Sequence, residues 1–234
     1  MMMNNELTIA TVNFNTPTYL MPLTNSLRKS NPWYNGKINV YDNGDVKTIE
    51  EGETLAYIGH FIDNEVLYKE FNTMKEPNDP GCRHFCSAKH CKTLDYIIKN
   101  TKTKYILICD TDVIFTKNFK ELFERFKNEN YAVCSYIRKP NGYSDRLAPW
   151  FTFIDIEQLE NNNINYYDEK RMLFVNGNNK DDTGAVLLQD CIKKDLKILE
   201  IPEDNYYYYH FKGGSYLSFE IVKKWLMKYK EYWT

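Results

Sequence analysis

Asp110 and Asp112 flank Thr111 between two apolar runs, Tyr105–Cys109 and Val113–Phe115. With 15 aspartates in the chain, about one D-x-D spacing arises by chance, so the spacing alone carries nothing. The setting carries more, because an unpaired carboxylate is costly to bury beside an apolar strand. Two carboxylates that close repel each other, and a divalent cation is the usual compensation. The alternative is a strand end with one aspartate capping and one solvated. Two more polar clusters follow apolar stretches, Thr11-Val12-Asn13-Phe14-Asn15 and Asp42-Asn43-Gly44-Asp45. The Cys82–Cys91 segment mixes thiols and imidazoles. Zinc usually draws on two separated ligand pairs, whereas these residues fall within one short run with no second cluster downstream. Zinc is therefore not expected there.

The elements that must position these groups follow from periodicity and turn signals. Leu7–Val12 reads as a short buried strand ended by the Asn13–Pro17 turn, and Pro17–Arg28 as a helix with proline in its first turn. Lys37–Tyr41 is a second strand, stopped by Asp42–Asp45. Residues 46–80 are mixed and polar, and yield no order. Ser87–Asn100 is a helix with Ser87 as N-cap, and Tyr105–Cys109 is a strand apolar on both faces. Asn118–Phe126 reads as a helix and Tyr131–Ile137 as a strand. A polar loop follows over 138–149, then an extended Trp150–Ile156. Asp181–Lys194 is a helix, Lys197–Ile201 a strand and Phe219–Tyr229 an amphipathic closing helix. This alternation predicts an α/β sheet with a mixed C-terminal half. Ligands of open α/β sheets bind outside the carboxyl ends of the strands, so parallel neighbours would bring the three polar clusters to one cleft.

The run YILICDTDVIF (residues 105–115), preceded by a helix, resembles the hhhhD-x-D-hhh core of GT-A fold glycosyltransferases, close to the small family-2-like members. The turns at Asn13–Pro17 and Tyr41–Gly44 resemble that superfamily's nucleotide-binding turns, and His210–Ser215 resembles its late histidine loop. The likeness is motif-level and runs over about residues 7–216. It implies a GT-A, Rossmann-like fold in which a mostly parallel central sheet carries helices on both faces. One domain spans 1–234, with a nucleotide-binding half over about 1–115 and an acceptor-binding half over about 116–234. By the same resemblance Asp110, Asp112 and His210 hold a metal, while Thr11, Asn13, Asp42, Arg83, Asp110, Thr111 and Asp112 face a nucleotide-sugar donor. Arg83 and the helix start at Ser87 would face its diphosphate; a surface loop before a helix is the alternative. An imidazole in an oxygen-rich site favours Mn²⁺ over Mg²⁺. Trp150 would stack on the acceptor sugar, or else is core. Asp181-Asp182 opens a helix, so Asp181 can cap and Asp182 can serve as the general base of an inverting transfer. UDP is the first expectation for the donor nucleotide.

At 234 residues, and about 150 per domain, one domain is expected. Lys+Arg 30 against Asp+Glu 32 argues against nucleic acid or a membrane surface as partner. Six cysteines are too few for a disulfide scaffold, and no apolar run approaches membrane-spanning length. The N-terminus lacks a secretory pattern. The expectation is a soluble cytoplasmic enzyme with free thiols, acting on a nucleotide sugar and a glycan or other hydroxyl acceptor. A haloacid-dehalogenase-like phosphohydrolase, using Asp110-x-Asp112 with Asp181-Asp182, is one rival. Its nucleophile normally lies on the first strand. A non-catalytic sugar- or nucleotide-binding protein is the other.

Overall fold

Strands that are apolar on both faces dictate a sheet covered on both sides. A computed structural model of the chain describes residues 6–14, 17–43, 66–70, 85–172, 181–204, 207–211 and 219–234. Its strands are Leu7–Asn13 (β1), Ile38–Asp42 (β2), Val66–Glu70 (β3), Tyr105–Asp110 (β4), Val113–Phe115 (β5), Val133–Arg138 (β6), Arg146–Asp155 (β7), Ile198–Glu200 (β8) and Tyr208–His210 (β9). The helices are Leu20–Ser30 (α1), Phe85–Asn100 (α2), Lys120–Asn128 (α3), Ile156–Asn162 (α4), Glu169–Met172 (α5), Ala185–Lys193 (α6) and Phe219–Lys228 (α7).

The central sheet has the order β3-β2-β1-β4-β7-β6-β8. β1 to β4 run parallel, β7 is antiparallel to both β4 and β6, and β8 returns parallel to β6. On one face Leu7, Ile9, Leu107, Cys109, Phe151 and Phe153 pack against Leu23 and Leu27 of α1 and Phe123 and Phe126 of α3. On the other, Ala10, Val12, Ile106, Ile108 and Ile154 meet Cys91 and Leu94 of α2, Leu159 of α4 and Leu187 of α6. This is the α/β architecture with helices on both faces that the pattern predicts. A separate two-stranded sheet pairs β5 with β9, and α7 packs beside it through Val222 and Leu226, against Ile114 and Tyr19.

Several boundaries differ from the sequence reading. The first helix is preceded by a 3-10 turn at Pro17–Tyr19, which leaves the proline outside the α-helical ladder. Ser87 stands inside α2 rather than capping it. The expected loop over 138–149 ends early, because Arg146–Pro149 belongs to β7. Pro149 falls opposite the register shift between Ser135 and Ile137, where a missing N–H costs no ladder hydrogen bond. Asp155 ends β7 and caps α4, its carboxylate accepting from the Gln158 N–H at 3.2 Å. The helix expected from Asp181 begins at Ala185, with Gly184 in the left-handed region at its N-cap. Asp181 therefore does not cap it. Its carboxylate instead accepts from Ser144 (2.5 Å), Gln189 (3.1 Å) and Arg171 (3.2 Å).

Candidate functional site

Parallel pairing brings the ends of β1, β2 and β4 to one edge. Val12 is in register with Asp110, and Asn13 with Asp42. The Asn13 side-chain amide donates to Asp42 Oδ1 at 3.1 Å, and the Asn43 N–H donates to the Asn13 carbonyl at 2.8 Å. The Asn43 side chain donates in turn to Thr93 Oγ on α2 at 2.9 Å, which ties the second turn to that helix. One helical turn earlier, Lys89 is only 2% exposed, its Nζ 5.4 Å from the Phe14 ring. A buried lysine beside this edge is a feature the sequence reading missed. Its signal is a lysine four residues before Thr93, both flanking the apolar stripe of α2.

Past β4 the chain turns through buried Thr111 and Asp112 into β5, which pairs with β9 so that Val113 faces His210. The Phe211 N–H donates to the Asp112 carbonyl at 3.0 Å, locking the two short strands. His210 Nε2 thereby comes 3.3 Å from Asp112 Oδ1 and 3.8 Å from Asp110 Oδ2. One ligating atom from each of the three residues lies within 4.8 Å of the others. Burial first, and the Asp112 charge second, push the Asp110 carboxyl up to about 7, while His210 opposes the rise. The same Asp112 charge adds to burial in raising the Tyr19 hydroxyl. Two carboxylates that repel each other, with an imidazole nitrogen beside them, are a donor set that fits a divalent cation.

Trp150 is 7% exposed and does not stand as an open stacking platform. Its ring stacks on His210, with centroids 4.3 Å apart and planes 13° apart, and its Nε1–H donates to the Tyr208 hydroxyl at 3.1 Å. Arg138 lies 6.0 Å from the same ring. Asp182 sits where α2, β7 and the turn before α6 meet. Its Oδ1 accepts from Ser87 at 2.5 Å and from the Thr183 N–H at 2.7 Å, and its Oδ2 pairs with Arg146. Burial and the adjacent Arg138 charge lower the Arg146 guanidinium, the less exposed partner at 12% against 27% for Asp182.

The structure thus gathers Asn13, Asp42, Asp110, Thr111, Asp112 and His210 along the carboxyl edge and its flanking turn. Thr11 lies inside β1, wholly buried, its hydroxyl without a hydrogen-bond partner among the described residues. Arg83, the Cys82–His84 part of the cysteine–histidine segment, and Gly213-Gly214 lie outside the described residues. Three described strands precede the one that ends in the D-x-D motif, which departs from the first-strand nucleophile of the phosphohydrolase rival.

No family model matches the chain, and no curated protein matches it in sequence. Solved structures do. S. aureus TarS (residues 1–349) is similar with a TM-score of 0.53 at 15% identity, over 88% of this chain and 60% of that one. The mannosyltransferase PcManGT from Pyrobaculum calidifontis, in complex with GDP-Man and Mn²⁺, gives 0.54 at 10% identity, over 86% and 55%. Core-mannan synthase A from Aspergillus fumigatus, in its Mn/GDP form, gives 0.54 at 12%, over 89% and 75%. The chain therefore spans little more than half the length of the first two. At these identities the likeness establishes the fold, and the fold is that of GT-A glycosyltransferases. Among the described residues no helix is long and apolar enough to cross a membrane.

Proposed function

We propose that this chain is a metal-dependent glycosyltransferase, moving a sugar from a nucleotide-diphosphate donor to a hydroxyl acceptor. The observation that carries the reading is the Asp110–Asp112–His210 trio at the carboxyl edge of a GT-A sheet, beside the Asn13–Asp42 pair. Two of the similar structures were obtained with Mn²⁺ or Mn and a GDP ligand, which supports the same chemistry at this edge. UDP remains the first donor expected and GDP the second. Asp110, Asp112 and His210 would hold Mn²⁺, with Mg²⁺ as the alternative. When bound, the cation neutralises charge developing on the diphosphate leaving group.

The chain's own residues do the rest. Asp42, oriented by the Asn13 amide, accepts hydrogen bonds from the base or ribose. Thr111 and the turn around it present the backbone between the two carboxylates. Arg83 is assigned to the diphosphate, and Thr11, buried within β1, backs the base pocket from behind. Residues up to about 115 bind the nucleotide, and the remainder binds the acceptor and supplies His210.

Asp182 is the proposed base of an inverting transfer. Its partial exposure favours access by an acceptor, and Arg146, Ser87 and the Thr183 N–H hold the carboxylate in one orientation. To take the proton, the acceptor hydroxyl must displace one of those contacts. Asp182→Asn should then bind donor and Mn²⁺ normally yet lose roughly 10²–10⁴ in turnover, the usual share of general-base catalysis. Transfer within threefold of the parent rate, or a product with retained anomeric configuration, rejects Asp182 as the base. The overall reading is tested by release of free nucleoside diphosphate from UDP-, GDP- and dTDP-sugars. Mn²⁺-dependent release from one of them is expected. Donor binding without release or transfer would instead mark a binding protein.

A further inference from the structure

A histidine that ligates a metal usually donates its second ring N–H to a carboxylate or carbonyl, which fixes the ring plane. Among the described residues His210 has no such tether. Its Nδ1 is buried and has no hydrogen-bond partner among the described residues. The ring is nonetheless oriented with Nε2 toward both aspartates, 3.3 Å from one and 3.8 Å from the other. What contacts its face is Trp150, nearly parallel at 4.3 Å.

The same indole grips the strand at a second point, since Nε1–H donates to Tyr208, two residues before His210 on β9. Phe151, next to Trp150 on β7, stacks on the Tyr208 ring at 4.9 Å. β9 is only three residues long and, among the described residues, is paired on one side, to a β5 of equal length. So short a ladder cannot by itself hold an imidazole to within a few tenths of an ångström, and a rigid neighbouring side chain must.

We propose that Trp150 is the positioning residue of His210, fixing the imidazole with a stacked ring and a second anchor on the same strand. This rests on reading the trio as a divalent-cation site. Trp150 then affects the cation only through His210, and a phenyl ring, which keeps a face for stacking, should substitute better than an aliphatic side chain.

The test is a calorimetric titration of Mn²⁺ into the parent chain, Trp150→Phe, Trp150→Leu, His210→Ala and the Trp150→Leu/His210→Ala double variant. Trp150→Leu should weaken Mn²⁺ at least tenfold, as removal of an outer-shell partner does, and Trp150→Phe less than threefold. In the His210→Ala background, Trp150→Leu should change the affinity by less than threefold. A Trp150→Leu loss that persists at full size without His210, or no loss with His210 present, overturns the proposal. Should Trp150→Leu not fold, the parent's tryptophan emission decides. Paramagnetic Mn²⁺ should quench it, and the quenched fraction should fall in Trp150→Phe; an unchanged fraction places the ion away from Trp150 and overturns the proposal. Failure of the underlying reading looks different. The parent itself would then take up no more Mn²⁺ than Asp112→Asn.

Discussion

Asp110 and Asp112 face each other and one imidazole, and their charges give the sharpest expectations at the scale of single residues. Asp112→Asn keeps shape and removes charge, so Mn²⁺-dependent donor binding should weaken at least tenfold, about 1.4 kcal/mol, in calorimetry. His210→Ala should raise the Mn²⁺ requirement of donor binding and leave the fold intact; an unchanged metal titration assigns His210 to packing alone. The Asp110 carboxyl, pushed up to about 7 by burial and then by Asp112, is protonated in the metal-free protein below that pH. Binding a cation must expel that proton, so Mn²⁺ affinity should climb as pH rises until the carboxyl is ionised and then level. The linkage sign for folding runs the other way. Between about pH 4 and 7 the native state holds a proton that the unfolded chain has lost, so this group's contribution to stability falls as pH rises through that window. Titrations in two buffers of different ionisation enthalpy count the released proton directly.

Elements position these groups, and here the sequence was only partly readable. The buried strands β1, β2 and β4 were legible because apolar runs end in Asn13, Asp42 and Asp110, and α2 because its apolar stripe is regular. The β5–β9 pair was not, since its strands are short and lie about 95 residues apart. Periodicity has nothing to register over three residues. The pairing that brings His210 to Asp112 was therefore available only through the histidine's resemblance to a late ligand loop. The start of α6 was misplaced for a different reason. Asp181 and Asp182 look like caps, but the turn is made by Gly184 at φ +88°, where an added Cβ would strike the Leu147 carbonyl. Gly184→Ala should cost about 2 kcal/mol or more in urea unfolding, from backbone strain alone. It should also disturb the Arg146–Asp182 pair that flanks the turn. On α2, burial lowers the His90 imidazole to about 4, while burial raises the Asp95 carboxyl to about 6 against the Tyr166 and Tyr167 N–H groups that it accepts from. His90 costs stability as pH falls from about 6.5 to 4, because only the unfolded chain gains the proton; Asp95 acts in the opposite sense from about 6 to 4. His90→Gln should therefore retain about 1–2 kcal/mol more of its pH 7 stability at pH 5 than the parent does. Equal losses in urea midpoints would contradict a neutral His90.

For the molecule as a whole, layer order was readable because strands apolar on both faces demand helices on both sides, and the two core clusters lie as that demand requires. The edge strands were less so. β3 falls in a stretch with no clear period, and β7 was shortened to its apolar half because Arg146 and Pro149 look like loop residues. Trp150, expected on the acceptor or in the core, lies against the candidate metal ligand, a contact between segments 60 residues apart that no local pattern carries. The proposed function requires that a nucleotide sugar and a divalent cation bind together at the carboxyl edge. The direct measurement is thermal unfolding with UDP- and GDP-sugars, each with Mn²⁺ and with EDTA, in the parent and in Asp112→Asn. A ligand at 100 times its Kd adds about 2.7 kcal/mol, a shift of roughly 5–10 °C at this chain length. The account predicts that shift for one donor, in the parent, with Mn²⁺ present, and its loss with EDTA or in Asp112→Asn. Equal shifts with and without the cation, or in parent and variant alike, would contradict it, as would no shift with any donor.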